Sequence, residues 1–219
     1  SHPNTFELVD PETNFFADLN SEQAKTWELS WKGKRIQPNA SIHWSFNAYK
    51  QTVKDAIATV EGEDDGLYLA NVEGLKMKGL EASIQTQYKV SSTASLAFSI
   101  HGNINRHEFT SIMDQLPGTP LHVAGATLAY RNQAIQVQWN HIWNDRTPLN
   151  DASSSWAAAY QRSDFALSFT KNQAVWRIGV RNAWDAQYSN WLQINAFGGK
   201  NFNPAPGRTI WASWVWNFS

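Results

Sequence analysis

Along most of the chain apolar and polar residues alternate one by one. The pattern is clearest where Leu80, Ala82, Ile84, Thr86 and Tyr88 interleave with Glu81, Ser83, Gln85 and Gln87. A period of two predicts a strand with one apolar face. It returns at Trp27, Leu29 and Trp31, at Ile42, Trp44, Phe46 and Ala48, and at Leu96, Phe98 and Ile100. It continues at Ala126, Leu128 and Tyr130, at Ile135, Val137 and Trp139, and at Phe165, Leu167 and Phe169. The last two strands carry Trp176, Ile178 and Val180, then Ile210, Ala212, Trp214, Trp216 and Phe218, the latter set against Trp211, Ser213, Val215 and Asn217. About nine strands are expected, and no segment has a helical period.

The connections sort by length. Gly33 to Ala40, Lys89 to Ala94, Arg131 to Ala134 and Lys171 to Ala174 are tight, whereas Ile57 to Leu67, Arg106 to Leu121, Asn144 to Arg162 and Asp185 to Arg208 are long. A soluble sandwich has no reason to alternate short and long loops, but an outer-membrane barrel has short periplasmic turns and longer extracellular loops. The barrel is therefore the expected class, with its apolar face toward lipid and its polar face toward the lumen. Trp31, Tyr88, Tyr130, Phe169, Trp176, Trp216 and Phe218 are expected at the short-turn ends, as an aromatic girdle at the membrane boundary.

Composition fits this expectation. The 219 residues include 12 Trp, 11 Phe and 6 Tyr but no Cys, which excludes disulfide frameworks, thiolate zinc sites and cysteine nucleophiles. Lys+Arg 18 against Asp+Glu 19 gives a formal charge of −1, so no nucleic-acid partner is expected. No apolar run is long enough for a transmembrane helix, and Ser1 to Asn4 does not open a signal peptide. The chain is thus expected to be mature or to begin within a longer protein.

Six ordered motifs add a resemblance. Leu19, Glu22, Trp27, Glu28, Leu29, Trp31, Lys32 and Gly33 resemble an "L-x-P-E…Y-E-x-G-x-K" start, with Ser21 in place of the proline. Lys54, Asp55, Ala56 and Ile57 resemble "K-D-x-I". Asn71 followed by Lys78, Gly79, Leu80 and Glu81 is similar to "N…x-G-x-E". Leu116 to Leu121 is similar to an "L-P…x-P" loop exit. Asn182, Asp185 and Tyr188 match "N-x-x-D-x-x-Y", and Pro206, Gly207 and Arg208 match "P-G-R". Together they resemble the C-terminal barrel portion of the TonB-dependent outer-membrane receptors. Ala183 and Trp184 depart from the usual Leu and Phe, and Ser219 follows the usual terminal aromatic.

The resemblance implies an all-β, antiparallel transmembrane β-barrel, with residues 1–219 supplying about nine C-terminal strands of a 22-stranded plugged barrel. The plug domain and the N-terminal strands are not in this chain, so a complementary polypeptide or fragment is the implied principal partner. TonB would be reached through that plug. The lipid bilayer, lipopolysaccharide and a small-molecule nutrient complex are the other implied partners, at the outer membrane of a Gram-negative bacterium. The implied activity is TonB-coupled import, foremost of a ferric siderophore, with haem, cobalamin or glycan as alternative cargoes. A soluble carbohydrate-binding β-sandwich and a lipid-boundary enzyme on a small closed barrel remain alternatives. No catalysis and no resident cofactor are expected.

Within that frame the outer loops are expected to hold the ligand contacts, at Arg106, His107, Arg146, Trp156, Tyr160, Tyr188 and Trp191. An arginine fork suits carboxylate or catecholate oxygens, and aromatic faces suit a flat ligand. Arg162 and Arg208 are further candidates, Trp143 is expected on a loop, and Arg177 and Arg181 are expected to face the lumen. Trp214, Trp216 and Phe218 are implied to form a C-terminal assembly signal. His43 and His101 are read as lumen residues, and His107, His122 and His141 as lying near the outer loops. Their spacing gives no metal-ligand pattern, so solvated or satisfied histidines are preferred to metal ligands.

Overall fold

A computed structural model describes residues 19–61, 67–72, 74–109, 118–149, 154–195 and 199–216. In chain order its strands are β1 (Gln23–Gln37), β2 (Ala40–Lys54), β3 (Ala56–Glu61), β4 (Leu67–Val72) and β5 (Leu75–Lys89). Then come β6 (Ser95–Phe109), β7 (His122–Arg131), β8 (Ile135–Asn144), β9 (Thr147–Pro148) and β10 (Trp156–Ala157). The last are β11 (Tyr160–Lys171), β12 (Ala174–Arg181), β13 (Ser189–Asn195), β14 (Gly199–Pro204) and β15 (Thr209–Trp216).

Nine of these form one antiparallel sheet in the order β1-β2-β5-β6-β7-β8-β11-β12-β15. These are the nine strands that the alternation predicts. All the short turns lie at one end of the sheet and all the long connections at the other. The long connections are more ordered than a loop reading allows, because three of them carry the small hairpins β3–β4, β9–β10 and β13–β14.

The register puts each alternating set on one face. Trp31 is opposite Phe46, Phe46 opposite Ala82, and Ala82 opposite Gly102. On the same side Tyr130 is opposite Val137, Val137 opposite Leu167, and Leu167 opposite Ile178. The other side carries Ser45, Asn47, Glu81, Ser83, His101, Asn103, Thr127, Asn140, Asp164, Arg177 and Ser213. There Ser30 Oγ donates to Asn47 Oδ1 at 2.9 Å and Thr127 Oγ1 to Asn140 Oδ1 at 3.0 Å. Large residues of the apolar side stand in the open, Leu29 at 76% and Ile210 at 75% exposure. A water-soluble sandwich would cover such a face, whereas a lipid-facing one needs no protein cover.

Four direct cross-strand pairs set a ring over a glycine. Trp44 covers Gly33 on the apolar side, and Tyr49 covers Gly79, His101 covers Gly125 and Trp211 covers Gly179 on the polar side. A Cβ at any of these glycines would run into the ring. The missing side chain thus lets a large ring lie flat on the neighbouring strand, which accounts for Trp211 on the polar face.

A small apolar core sits at the long-connection end, where Val53, Ala56, Val72 and Leu75 pack with Met77 beneath the β3–β4 hairpin. The aromatic band needs one correction. Tyr88, Tyr130, Phe169, Trp176 and Trp216 lie at or next to the short-turn ends of their strands, but Trp31 does not. The β1–β2 hairpin runs on to Gln37↔Ala40, so Trp31 is mid-strand, stacked on Phe46 at 5.4 Å. Phe218 and Ser219 lie outside the described residues, as do Leu116 and Pro117 of the fourth motif.

Candidate functional site

The motif residues are mostly anchors for the long connections. Glu22 Oε1 accepts from Ile57 N at 3.0 Å, and Asn71 Nδ2 donates to the carbonyls of Asp55 at 2.7 Å and Asn20 at 3.0 Å. Asn71 Oδ1 in turn accepts from Asn20 N at 2.7 Å. Three motifs far apart in sequence therefore converge at the base of β3–β4. Asp55 has φ 52°, a left-handed conformation that Asp and Asn tolerate better than most residues.

A second anchor lies below β13–β14. Asn182, 2% exposed and at φ 51°, donates from Nδ2 to the carbonyls of Ala186 at 2.9 Å and Pro206 at 3.4 Å. Its Oδ1 accepts from Ala186 N at 2.8 Å, and its own N–H reaches Asp164 Oδ1 at 2.9 Å. Asp185 Oδ1 accepts from Arg208 N at 2.7 Å and sits against Gly207, where a Cβ would meet it. The paired Asn-Asp and Pro-Gly-Arg motifs thus close one ring.

Asn182→Ala is expected to lower barrel stability by about 1–3 kcal/mol, because it strands buried backbone groups. Asn182→Gly keeps the left-handed backbone and loses only the side-chain bonds. Unchanged urea-unfolding midpoints for both variants would contradict the anchoring role.

Above this frame the β8–β11 connection folds on itself. Thr147, Pro148 and Leu149 are buried, Leu149 N donates to Ser155 O at 2.9 Å, and Gly118 N donates to Pro148 O at 2.8 Å. Arg146 is exposed and lies over the Trp156 ring, 4.3 Å from guanidinium carbon to centroid. A guanidinium over an indole face is held there by cation–π attraction. Asp145 fastens the start of the connection. Its Oδ2 is 2.6 Å from His122 Nδ1, and its Oδ1 accepts from Arg146 N at 2.8 Å. The His122 hydrogen bond holds the Asp145 carboxyl below its usual pKa, against a smaller opposing effect of burial. A lowered carboxylate pKa contributes stability at neutral pH, and the contribution is lost as pH falls through the lowered value.

At the mouth of the polar face Tyr160 stacks on Tyr188 at 4.4 Å and 16°. Arg162 Nη1 donates to Tyr188 Oη at 3.1 Å, and Arg162 Nη2 is 3.1 Å from Asp164 Oδ2. The structure therefore brings Tyr160, Arg162 and Tyr188 into one cluster and Arg146 and Trp156 into another.

The other expected site residues lie on the strands themselves. Arg106 is not in a loop. It belongs to β6, on the apolar-side register opposite Lys78. His107 is also in β6, on the polar side opposite Met77, and only 6% exposed. Trp143 and His141 are in β8 on the apolar side, in line with Trp139, so neither is a loop residue. Trp191 lies in β13 opposite Asn203. Arg177 and Arg181 are on the polar face, opposite Ser213 and Thr209. Trp214 and Trp216 are on the apolar face of β15, their rings edge-to-face at 6.1 Å, and Phe218 lies beyond the described residues.

His141 Nδ1 and Ser163 Oγ are 2.9 Å apart on the apolar side, which invites comparison with a hydrolase pair. Ser163 is 2% exposed, so its hydroxyl is packed against its neighbours and is not offered to a substrate. Among the described residues no group of three or more His, Asp and Glu could hold a metal ion.

Several solved structures share this arrangement. The ferric yersiniabactin uptake receptor FyuA from Yersinia pestis matches with a TM-score of 0.70 at 16% identity, over 90% of this chain and 30% of its own. The copper transporter OprC matches with a TM-score of 0.73 at 17% identity, over 99% of this chain and 35% of that one. The ferric-catecholate import receptor Fiu from E. coli K12 gives 0.69 at 16% identity, over 97% and 30%. The chain thus spans about a third of the length of these receptors, and at this identity the likeness shows the fold. Compared by sequence with curated proteins, the chain has no match. The sequence profile of the family described as "TonB dependent receptor-like, beta-barrel" matches residues 2–183. With most of its length under that profile and its nine-stranded sheet in the same fold, this chain belongs to the TonB-dependent receptor β-barrel family.

Proposed function

We propose that the chain forms the C-terminal arc of a plugged outer-membrane receptor that imports a ferric siderophore with energy delivered by TonB. The open edges of the sheet support the partial-barrel reading. Among the described residues β1 pairs only with β2 and β15 only with β12. In lipid each unsatisfied backbone group costs several kcal/mol, so further strands must flank both edges. Those strands, and the plug that TonB would engage, belong to the remainder of the receptor.

The cargo reading is carried by one observation, the Arg146–Trp156 stack on the loop side of the sheet. An exposed cation backed by an indole offers charge and a flat face together, and a ferric chelate with carboxylate or catecholate oxygens uses both. The Tyr160–Tyr188–Arg162 cluster lies just inside, where a ligand leaving the loops would pass.

The test is the double replacement Arg146→Ala with Trp156→Ala in the complete receptor. The ligand concentration needed for growth on the cognate iron complex is expected to rise at least tenfold, on the order of 1.4 kcal/mol, with barrel abundance unchanged. Equal uptake by the double variant would move the binding site to the rest of the receptor. Growth across ferric siderophores, haem, cobalamin and oligosaccharides as alternative nutrient forms identifies the cargo, and support by a non-siderophore alone would overturn the siderophore assignment.

A further inference from the structure

On the polar side of the sheet the row beside the short turns is basic. Lys89 is opposite Ser95, and Ser95 is opposite Arg131. From Arg131 the row continues through Gln136 and Ser168 to Arg177. All three cations are exposed, and among the described residues none of them has a carboxylate partner. Arg131 Nε and Nη2 donate to Gln136 Oε1 at 3.2 and 3.0 Å, which fastens that guanidinium to the wall. On β1, Lys32 and Lys34 add two more cations to the same side, opposite Ser45 and His43.

The acids of the nine strands are Glu28, Glu81, Glu108 and Asp164, and each lies in the half of its strand nearer the long connections. The short turns and the strand halves that they join carry none. With 19 acids to 18 Lys and Arg in the whole chain, this separation is one of placement and not of composition. Sheet pairing does not call for the cations either, since their cross-strand partners Ser95, Gln136 and Ser168 are neutral. Neighbouring strands are about 4.8 Å apart, so Lys89 and Arg131 are about 10 Å apart and Arg131 and Arg177 about 14 Å. Cations so widely spaced cannot close on one small anion. They set a positive potential over the inner end of the wall, and a wall of one sign raises the local concentration of mobile counter-ions.

We propose that this row is an anion guide at the inner mouth of the barrel, which draws a polyanionic iron complex from the outer loops toward the periplasm. The inference rests on the import reading above, and it narrows the cargo to complexes of net negative charge. The Arg146–Trp156 stack lies at the opposite end of the sheet and engages the complex first. Glu28 and Glu81, on the polar side between the two, offer an anion no place to stop. An anion that has passed them gains energy at the basic row. The row stands on the side opposite Tyr130 and Trp176, so membrane lipid is not its partner.

The experiment measures initial uptake of radiolabelled iron by cells carrying the complete receptor, with equilibrium binding to the extracted receptor alongside. The probes are iron bound to an anionic tris-catecholate, to an anionic polycarboxylate and to a neutral tris-hydroxamate. The unaltered receptor is expected to take up an anionic complex in preference to the neutral one, a result that needs no variant to fold. Lys89→Gln, Arg131→Gln and Arg177→Gln should each slow that uptake about threefold, and the triple variant about thirtyfold, with binding unchanged. Lys89→Arg, which keeps the charge, should retain the full rate. So should Lys171→Gln, at the same end of the sheet but on the apolar side. Full-rate uptake by the triple variant, or preference of the unaltered receptor for the neutral complex, would overturn the guide. Loss of binding or of barrel abundance together with uptake, or entry of a glycopeptide antibiotic that the unaltered receptor excludes, would assign the cations to holding the plug and likewise overturn it. Uptake of none of the three complexes by the unaltered receptor would sink the siderophore reading itself, and the guide with it.

Discussion

Deleting Trp216–Ser219 is expected to abolish assembly of the barrel in the membrane while leaving synthesis of the polypeptide intact. β15 is held by a ladder running from Arg181↔Thr209 to Ala174↔Trp216, and its apolar side continues a row of rings. Phe169 stacks on Trp176 at 5.7 Å, and Trp176 is the register partner of Trp214, which meets Trp216 edge-to-face. The deletion removes the last ladder position, over the buried Ala174, and cuts this aromatic row at the short-turn end of the sheet. Heat-modifiable migration of membrane extracts is the readout, and normal levels of the shifted band would refute the expectation. Trp216→Ala and Phe218→Ala made separately apportion the effect.

Much of this architecture is legible in the sequence because a barrel strand has a period of two and little else. Leu80 to Tyr88 announces its faces without any tertiary information, and β5 pairs along that whole stretch. The alternation of tight and long connections likewise survives into the structure, since hairpin turns leave local signatures. Asn132, for example, folds its side chain onto Ala134 N at 2.9 Å and Ile135 N at 2.8 Å.

What the sequence hides is the structure inside the long connections. Ala56 to Glu61 and Leu67 to Val72 are rich in residues that suit strands, and Asp65-Gly66 is a hairpin signal, yet the whole segment reads as one loop when only the long strands are sought. β9 and β10 have two residues each and leave no period to detect.

The site divides in the same way. The order of the motifs locates Asn182 and Asp185, but only the geometry shows that they brace the β12–β15 connection. Arg146 and Trp156 are ten positions apart, outside any local spacing rule, and meet because Thr147↔Ala157 and Pro148↔Trp156 fold the chain back.

Leu167→Arg and Ser168→Arg are expected to differ by several-fold in their effect although they are consecutive residues. Leu167 is on the apolar side at mid-strand, 43% exposed and flanked by Val137 and Ile178. If that side meets hydrocarbon, an arginine there must be solvated by lipid, which destabilises a barrel by about 2–4 kcal/mol near the midplane. Ser168 is on the other side, between Gln136 and Arg177, where water and polar partners are at hand. The added cation would face Arg177, a repulsion of under about 1 kcal/mol. Urea unfolding of the complete receptor in lipid vesicles measures both. Equal losses would mean that the two sides see the same solvent, and the assignment of lipid to one face and lumen to the other would fall with it.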